Sequence, residues 1–560
     1  MTNPAEHTPD GLGCRRLGPP VPDAAPGSTG LGGLGRICLV VFALNLGLRI
    51  ALAAVFPLHY KEAYFWEWSQ FPSAGYLEHP PAVAWVIRVV GFVFGVRSVF
   101  GIRFGALLFG TGSLLLVYRL AIVLFDDRRL AVRALLIALG LPLLNALGVV
   151  MLPDAPMMFF HLLFLCLFAS ALRTRRGRYW CLAGLAAGAA MLSKLTFVIT
   201  LVVCLGYLIC SRRNRFWLKR PMPYVGAAIA LGLCFPFIRW NAIHGWATLR
   251  LHLWDRHYAA AGLNLLGAAK YVAEQLANTS LFLAIPLVGV LFVRVRHLPE
   301  AWRGGFQLLR AHAASVLAVF LIVGAVSQTH PHWTVLSYPS AAIMLAALST
   351  VQPRHWLVRR IDLLIALSVA TLALASCAGL CALPIVEFLS PQRKGEFYDT
   401  RMATAEDRLW VWKDVHAGLA ARLPGEWTNP DMLVFTKSYR FGSMLSFHRG
   451  GRPVVNIAPL YHERNKVGDG QFYYRAWDGL RGAGGVYVIR DGRASLWHLW
   501  RMRKLFRKVK DLEPLEIKCG SGRTVRYRIW RVEGFQPNAY RQLRRLRPGS
   551  ARQNSRTPAT

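Results

Sequence analysis

This sequence is short of acid. Over 560 residues it holds 29 Asp and Glu against 66 Lys and Arg, for a formal net charge of +37. Charged residues make up 17% of the chain and hydrophobic residues 54%, whereas soluble domains run to about 25% charged. The shortage is local. Eleven acids fall between Cys38 and Leu389, and the other eighteen lie outside that stretch. Soluble multidomain, disordered and collagen-like chains are excluded by this distribution. A polytopic α-helical membrane protein with a soluble tail is what remains.

Other absences narrow the reading. There is no G-x-x-x-x-G-K-[ST] loop, no H-E-x-x-H and no zinc-type cysteine spacing, so ATP-driven transport finds no support. Ten cysteines give no disulfide framework, since most lie in apolar runs and only Cys519 falls in the soluble tail. The excess of Lys and Arg does not point to nucleic acid. It sits in short clusters between apolar runs, where the positive-inside rule puts it. The basic end from Arg541 to Arg556 reads as a solvated or lipid-headgroup-touching tail.

Residues 1–35 are rich in Gly and Pro and read as a disordered cytoplasmic tail. The run after Arg36 resembles a signal-peptide core, with Ala51-Leu52-Ala53 as a cleavage site. The tail before it is too long for a charged n-region, so an uncleaved first span is expected. Apolar runs of spanning length lie near 37–57, 100–125, 130–150, 155–172, 223–240, 278–293, 313–328, 334–350 and 361–387. The stretch 180–210 is flanked by arginine clusters at both ends, so it must cross twice, as two short helices hinged at Ser193-Lys194. About eleven spans result, filling a membrane domain over 36–389. Parity places the loops 58–99, 151–154, 241–277 and 329–333 on the outer face, and the tail emerges there too. Residues 390–535 read as a periplasmic α/β domain, with strands at 432–435, 453–457 and 486–489 and helices at 404–422 and 437–448. Residues 536–560 read as a disordered basic end.

Ionisable groups at membrane depth cost at least about 2.5 kcal/mol and are usually kept for function. Here they gather on one side: Glu62, Glu67, Glu78, Asp154, Asp255 and Glu274, with Lys61, His79, Lys194, Arg250, Arg256, His257, His330 and His332 as neighbours. An interfacial aromatic helix accounts for the Trp and Tyr of Tyr60–Ser69 but not for its acids. Asp154 in Pro153-Asp154-Ala155-Pro156 suits a helix start as well as a site. Lys194 suits snorkelling to the interface as well as a phosphate ligand. His330-Pro331-His332-Trp333 joins two spans, and its histidines read as cavity-lining polar groups.

These motifs, taken in order, carry a family resemblance. Lys61 to Ser69, Gly75-Tyr76-Leu77-Glu78-His79-Pro80-Pro81, Ala84-Trp85, Pro153–Pro156 and Leu192-Ser193-Lys194-Leu195-Thr196 resemble the bacterial family 39 glycosyltransferases. So do Trp240–Trp246, His330–Trp333, Tyr338-Pro339, Ser438-Tyr439-Arg440 and Leu445-Ser446-Phe447. These enzymes use polyprenyl-phosphate sugars and are related to the protein O-mannosyltransferases and the aminoarabinose transferase of lipid A. The resemblance implies a GT-C-like bundle in the bacterial inner membrane, open to the periplasm. It implies a polyprenyl-phosphate (undecaprenyl-phosphate) sugar donor and a lipid A, glycan, lipid or protein acceptor. In one respect the chain departs. The family's acidic pair before Ala-Tyr is Lys61-Glu62 here, so the general-base role of the first acid cannot pass to position 61. A lysine beside a carboxylate is normally protonated.

The expected chemistry is inverting transfer, with Glu62, Asp154 or Glu78 as base or positioning carboxylate. Lys194 is expected on the donor phosphate with Lys61, His79 or Arg256, and Tyr64, His330 and His332 along the cavity. Glu78 with a histidine could hold a divalent metal ion, which the sequence does not demand. Two other classes stand beside this one: a non-catalytic binder of lipid-linked sugars on the same fold, and a transporter or flippase. The second should show repeats and groups reachable from both faces, and the sequence has neither.

Overall fold

The computed structural model describes residues 32–255, 264–327, 329–389, 412–436, 439–452, 454–456, 480–490, 496–518 and 524–536. Arg256, Cys519, the N-terminal tail to residue 31 and the basic end from 537 lie outside them, as does the first part of the helix expected at 404–422.

The chain is a multi-pass membrane protein. Among the described residues six helices are long and apolar enough to cross a bilayer: α1 (Gly33–Val55), α4 (Val99–Phe125), α7 (Asp154–Thr174), α10 (Met222–Ile243), α14 (Glu300–Val326) and the first part of α16 (Ile361–Leu389). The first loop folds into α2 (Tyr60–Gln70) and α3 (Ala82–Phe94). Val89, Phe92 and Val93 of α3 stand exposed while Val83, Ala84 and Ile87 are buried, the two-faced pattern of a helix lying at an interface.

Two expected spans are broken. The run 130–150 divides into α5 (Arg128–Leu139) and α6 (Pro142–Leu147). Pro142 cannot continue a helix begun upstream, because it has no N–H to give and its ring clashes with the preceding turn. The run 278–293 opens with the last two residues of α12 (Leu265–Thr279) and is broken at Ser280, whose φ is +84°. It then forms the short α13 (Ala284–Gly289) and a single 3₁₀ turn. Hydropathy reports apolar length and is blind to such breaks, so the eleven expected spans do not appear as eleven unbroken helices.

The doubtful stretch 180–210 does hinge. α8 (Arg178–Ser193) stops where Lys194 turns extended (φ −160°, ψ 132°). A 3₁₀ turn over Leu195–Phe197 then leads into α9 (Val198–Cys210). α8 packs on α10 with backbones almost touching. A Cβ added to Gly184 would lie 2.1 Å from the Gly226 carbonyl oxygen, the small-residue contact typical of membrane helices. The short α11 (Ala247–Arg250) follows α10, and α15 (Ser337–Val351), buried along nearly its whole length, fills the centre.

The C-terminal part holds α17 (Trp412–Arg422), α18 (Tyr439–His448), α19 (Leu496–Leu505) and a five-stranded sheet in the order β2-β1-β3-β5-β4. The strands are β1 (Leu433–Thr436), β2 (Val454–Asn456), β3 (Gly485–Arg490), β4 (Phe506–Lys518) and β5 (Thr524–Phe535). β1 pairs in parallel with β2 and β3, whereas β5 runs antiparallel to β3 and β4. β4 and β5 are additions to the sequence reading. β5 buries Val525, Tyr527 and Ile529 and exposes Arg526 and Arg528 between them. That period-2 alternation marks a half-buried strand without forming an apolar run.

Candidate active site

The ends of α1, α7, α8 and α14 that meet the loops 56–98, 148–153 and 327–336 lie at one end of the bundle, and the candidate residues collect there. Asp154 opens α7 and Lys194 stands at the hinge between α8 and α9. Lys194 Nζ donates to Asp154 Oδ1 at 2.6 Å, with both side chains at or below 5% exposure. Lys194 is therefore an ion-pair partner, not a snorkelling lysine. The extended conformation at 194 turns its side chain out of the helical repeat, and the pair fixes the hinge across two helices. The pairing had a signal: Asp154 is the sole acid between Asp127 and Asp255, and Lys194 the sole Lys or Arg between Arg178 and Arg212.

His332 and Lys61 lie within electrostatic reach of Asp154. The half-buried His332, in the 3₁₀ turn Pro331–Thr334, has its pKa pushed down to about 3, first by burial and further by Lys194, Lys61 and His330, with Asp154 opposing. At neutral pH it is an uncharged donor and acceptor. His330 is exposed and stacks on His332 with ring centroids 5.8 Å apart.

Glu62 is built differently. Its Oε1 accepts from Arg103 Nε at 2.9 Å and from the Met151 N–H at 3.1 Å. Its Oε2 accepts from Arg103 Nη2 at 2.7 Å and the His59 N–H at 3.0 Å. Four donors use the roughly four lone-pair positions of a carboxylate. Arg103 is equally engaged, also donating to the carbonyls of Ala53, Phe56 and Pro57 at the end of α1. The sequence reading missed Arg103, which lies inside an apolar helix with no motif around it. Glu62 also closes a capping box with His59 at the start of α2. Burial, foremost, pushes the pKa of His59 down to about 4, which keeps its ring able to accept from the Lys61 N–H at 3.3 Å.

Glu67 faces the C-terminal part. Its Oε2 accepts from Ser443 Oγ of α18 at 2.7 Å, and Trp66 meets Phe447 edge-on at 4.9 Å. Tyr64 packs against Trp68 at 5.0 Å and Tyr439 at 5.1 Å. It is thus buried in the joint between α2 and α18. Arg440, from the motif Ser438-Tyr439-Arg440, lies over the Tyr60 ring at 4.8 Å and within electrostatic reach of Glu78. It is a second cation the sequence reading left without a role. Glu78 is buried, and His79 beside it is half-buried with His252 5.9 Å away, centroid to centroid. Among the described residues no group of three or more His, Cys, Asp or Glu gathers as metal ligands would, around Glu78 or elsewhere.

A largely apolar cavity of about 1010 Å³ opens between α9, α12, α13 and α14. At one point Tyr338 and Thr334 donate to the Gln275 side-chain oxygen, and Gln275 and Tyr338 both line the cavity. None of the charged candidates lines it. Its volume suits a long apolar chain.

Residues 78–240 match the family model described as dolichyl-phosphate-mannose-protein mannosyltransferase. The lipid A galacturonosyltransferase RgtD of Rhizobium johnstonii is 23% identical over 285 residues, which cover 50% of this chain and 59% of that protein. The undecaprenyl phosphate-alpha-4-amino-4-deoxy-L-arabinose arabinosyl transferase of Pseudomonas aeruginosa is 30% identical over 205 residues, covering 34% of this chain and 36% of that one. The matches thus span between about a third and three-fifths of these relatives' length. Among solved structures, ArnT from Cupriavidus metallidurans bound to undecaprenyl phosphate aligns with a TM-score of 0.60 at 16% identity, over 89% of this chain and 98% of that one. Its apo form gives 0.57 at 14% identity, over 88% and 98%. The fold is that of the GT-C membrane glycosyltransferases, and the resemblance to family 39 read from the motifs stands.

Proposed function

We propose that this chain moves a sugar from a polyprenyl-phosphate donor onto a lipid A, glycan, other lipid or protein acceptor at the periplasmic face of the inner membrane, inverting the anomeric carbon. The observation that carries the reading is the enclosed Asp154–Lys194 pair at the broken helix. An ammonium group has three N–H donors. One goes to Asp154, which leaves two directions for phosphate oxygens. The cavity of about 1010 Å³ would take the polyprenyl chain. Similarity to transferases whose names specify undecaprenyl-phosphate and lipid A chemistry supports the donor and acceptor classes.

In the reaction the acceptor oxygen attacks the anomeric carbon and gives its proton to a carboxylate. The anomeric carbon–oxygen bond to phosphate breaks, and polyprenyl phosphate leaves with the electron pair. That leaving group is already a stabilised anion, so no general acid is required. Charge on the departing phosphate is met by Lys194, helped by Lys61. Glu62 has its oxygens filled by Arg103 and two backbone amides, which leaves Asp154 and Glu78 to orient the acceptor hydroxyl. We assign the proton to Asp154, which lies within reach of Lys61 at the place of the family's first acid. His332 stays neutral and can hold a sugar hydroxyl.

The outward orientation rests on the arginine clusters. Arg173, which pairs with Asp126 at 2.7 Å, marks the end of the bundle opposite Asp154. In the same reading residues 36–389 form the membrane domain and 390–535 a periplasmic domain seated on α2. The test is proteoliposomes containing the full chain and undecaprenyl-phosphate sugars, with lipid A and envelope glycans as acceptors. Release of undecaprenyl phosphate matched by one added sugar mass on an acceptor is expected. Donor binding without release by the wild type would favour the non-catalytic alternative, for which Lys61 speaks.

A further inference from the structure

The bundle buries one more polar assembly, which neither the ion pair nor the cavity uses. Thr200 of α9 stands between two histidines. Its Oγ1 lies 3.2 Å from His161 Nδ1 of α7 and 3.1 Å from His312 Nε2 of α14. His312 Nδ1 extends the chain to Ser340 Oγ of α15 at 3.0 Å. The imidazoles stack with centroids 4.8 Å apart, and all four side chains are fully enclosed. Three hydrogen bonds thus tie four helices together in apolar surroundings, where a lost bond leaves a costly orphan.

The threonine hydroxyl has one proton, so the chain has two internal directions. Thr200 donates to His161, accepts from His312, and Ser340 donates to the far ring nitrogen. Alternatively every bond reverses. Either direction leaves His161 Nε2 at the end of the chain, enclosed and without a hydrogen-bond partner.

The position of this chain relative to the hinge matters. Thr200 lies six residues after Lys194, and His161 seven residues, about two turns, after Asp154. Between α8 and α9 the helical ladder is interrupted by extended Lys194 and a 3₁₀ turn. The direction of α9 is therefore not inherited from α8. After the break Phe197 packs edge-on against Phe164 at 5.3 Å and Thr196 Oγ1 makes a soft contact with Met157 Sδ at 3.2 Å. Thr200 is the first side chain of α9 to hydrogen-bond other helices, ahead of Tyr207, which donates to the Gly304 carbonyl at 3.2 Å.

We propose that Thr200, gripped by His161 and His312, is a positioning residue that sets the hinge and thereby the place of Lys194 against Asp154. This rests on the reading of Lys194 as ligand of the donor phosphate. Loss of a network that merely added stability would lower the melting temperature without acting on the hinge in particular.

The test is Thr200→Val in the full-length protein, which keeps shape and removes the hydroxyl. Amide hydrogen exchange at residues 193–198 is expected to quicken at least about tenfold while the rest of the bundle exchanges as in wild type. KM for an undecaprenyl-phosphate sugar should rise about tenfold with kcat within about twofold. Thr200→Ser should restore both. His161→Asn, whose amide sits where Nδ1 does, should keep the hinge protected. Loss of protection there would assign the work to Nε2 and overturn the proposal. If Thr200→Val does not fold, Ser340→Ala at the far end of the chain should give a smaller quickening at the same amides. Wild-type exchange at the hinge in Thr200→Val, or in Ser340→Ala should Thr200→Val not fold, overturns the inference. Should the wild type neither bind nor transfer sugar, the transferase reading falls, and the exchange measurement still decides whether Thr200 sets the hinge.

Discussion

Two enclosed ion pairs sit at the same end of the bundle, and they are built to opposite plans. Glu62–Arg103 is closed: four donors converge on the carboxylate, and the guanidinium spends all five of its N–H groups on Glu62 and three carbonyls. Asp154–Lys194 joins through one contact at a helix break, with an ammonium point charge on a flexible stem where the other pair has a planar guanidinium fork. Closure marks a brace, since a saturated ion has nothing left for a ligand. An unsaturated pair retains capacity at the cost of burying charge. A carboxylate at membrane depth is thus a functional candidate only after its lone pairs have been counted.

The largest expected effect separates the two plans. The double substitution Asp154→Asn/Lys194→Met removes both charges without stranding either. Transfer should fall by about 10²–10⁴, the usual worth of acid–base catalysis, while the thermal midpoint stays within a few degrees. A double variant that keeps full turnover would make this pair another brace and collapse the contrast.

Next comes Arg103→Met, which leaves Glu62 buried and unpaired. A loss of about 3–5 kcal/mol is expected, read as a lower melting temperature or poor recovery of folded protein. The fraction that folds should retain its KM for donor. Lys194→Ala alone strands Asp154 in the same way. It should therefore lose stability as well as donor binding, which is why the double variant is the cleaner probe.

Lys61→Asp sharpens the comparison further. It removes a cation beside Asp154 and adds a like charge, so transfer should fall about tenfold, equivalent to about 1.4 kcal/mol. An increase would show that position 61 holds the missing base and that Asp154 has not taken over.

The smallest effect is in pH. The His332 pKa is pushed down to about 3 from an ordinary 6.5, so the native state resists a proton the unfolded chain accepts. The stability this brings is complete above about pH 6.5 and is lost as pH falls toward 3. His332→Gln should flatten that slope by a modest amount, because the ring is half-buried and screened. A slope unchanged by the substitution would place the acid sensitivity elsewhere, with His59 and His448 the next groups of the same sign.

What the sequence made legible follows from what is local. Charge parity around 180–210 demanded a double crossing, and the hinge falls at Lys194 as expected. The aromatics of Tyr60–Ser69 suggested an interfacial helix, and the structure has a helix there, but it buries Glu62–Ser69 and packs against α18. Pro142 announced the break in 130–150, but an apolar count passes over a single proline. The pairings were harder. Glu62 and Arg103 are 41 residues apart, and Asp154 and Lys194 are 40, so their meeting depends on how helices cross. Which carboxylate is saturated depends on backbone amides such as Met151 N–H, and no side-chain motif encodes those. β5 alternates polar and apolar residues, so a search for apolar runs misses it while a period-2 count finds it. β4 spaces Phe506, Val509, Leu512 and Leu515 three apart, with a register shift between Leu512 and Leu515, and shows neither pattern.

The clasp between Glu67 and Ser443 spans 376 residues of chain. At a synthesis rate of about 5–20 residues per second, roughly 20–75 s separate the emergence of the two partners. During that interval the aromatic first loop has no cover from α18, and Glu67 lacks its hydroxyl donor. The site is therefore completed late in the birth of the protein. A ribosome that stalls between the sixteenth helix and the sheet leaves an inserted bundle whose loop is open, tacky and exposed to proteases, and a protein that is assembled only when its last third arrives.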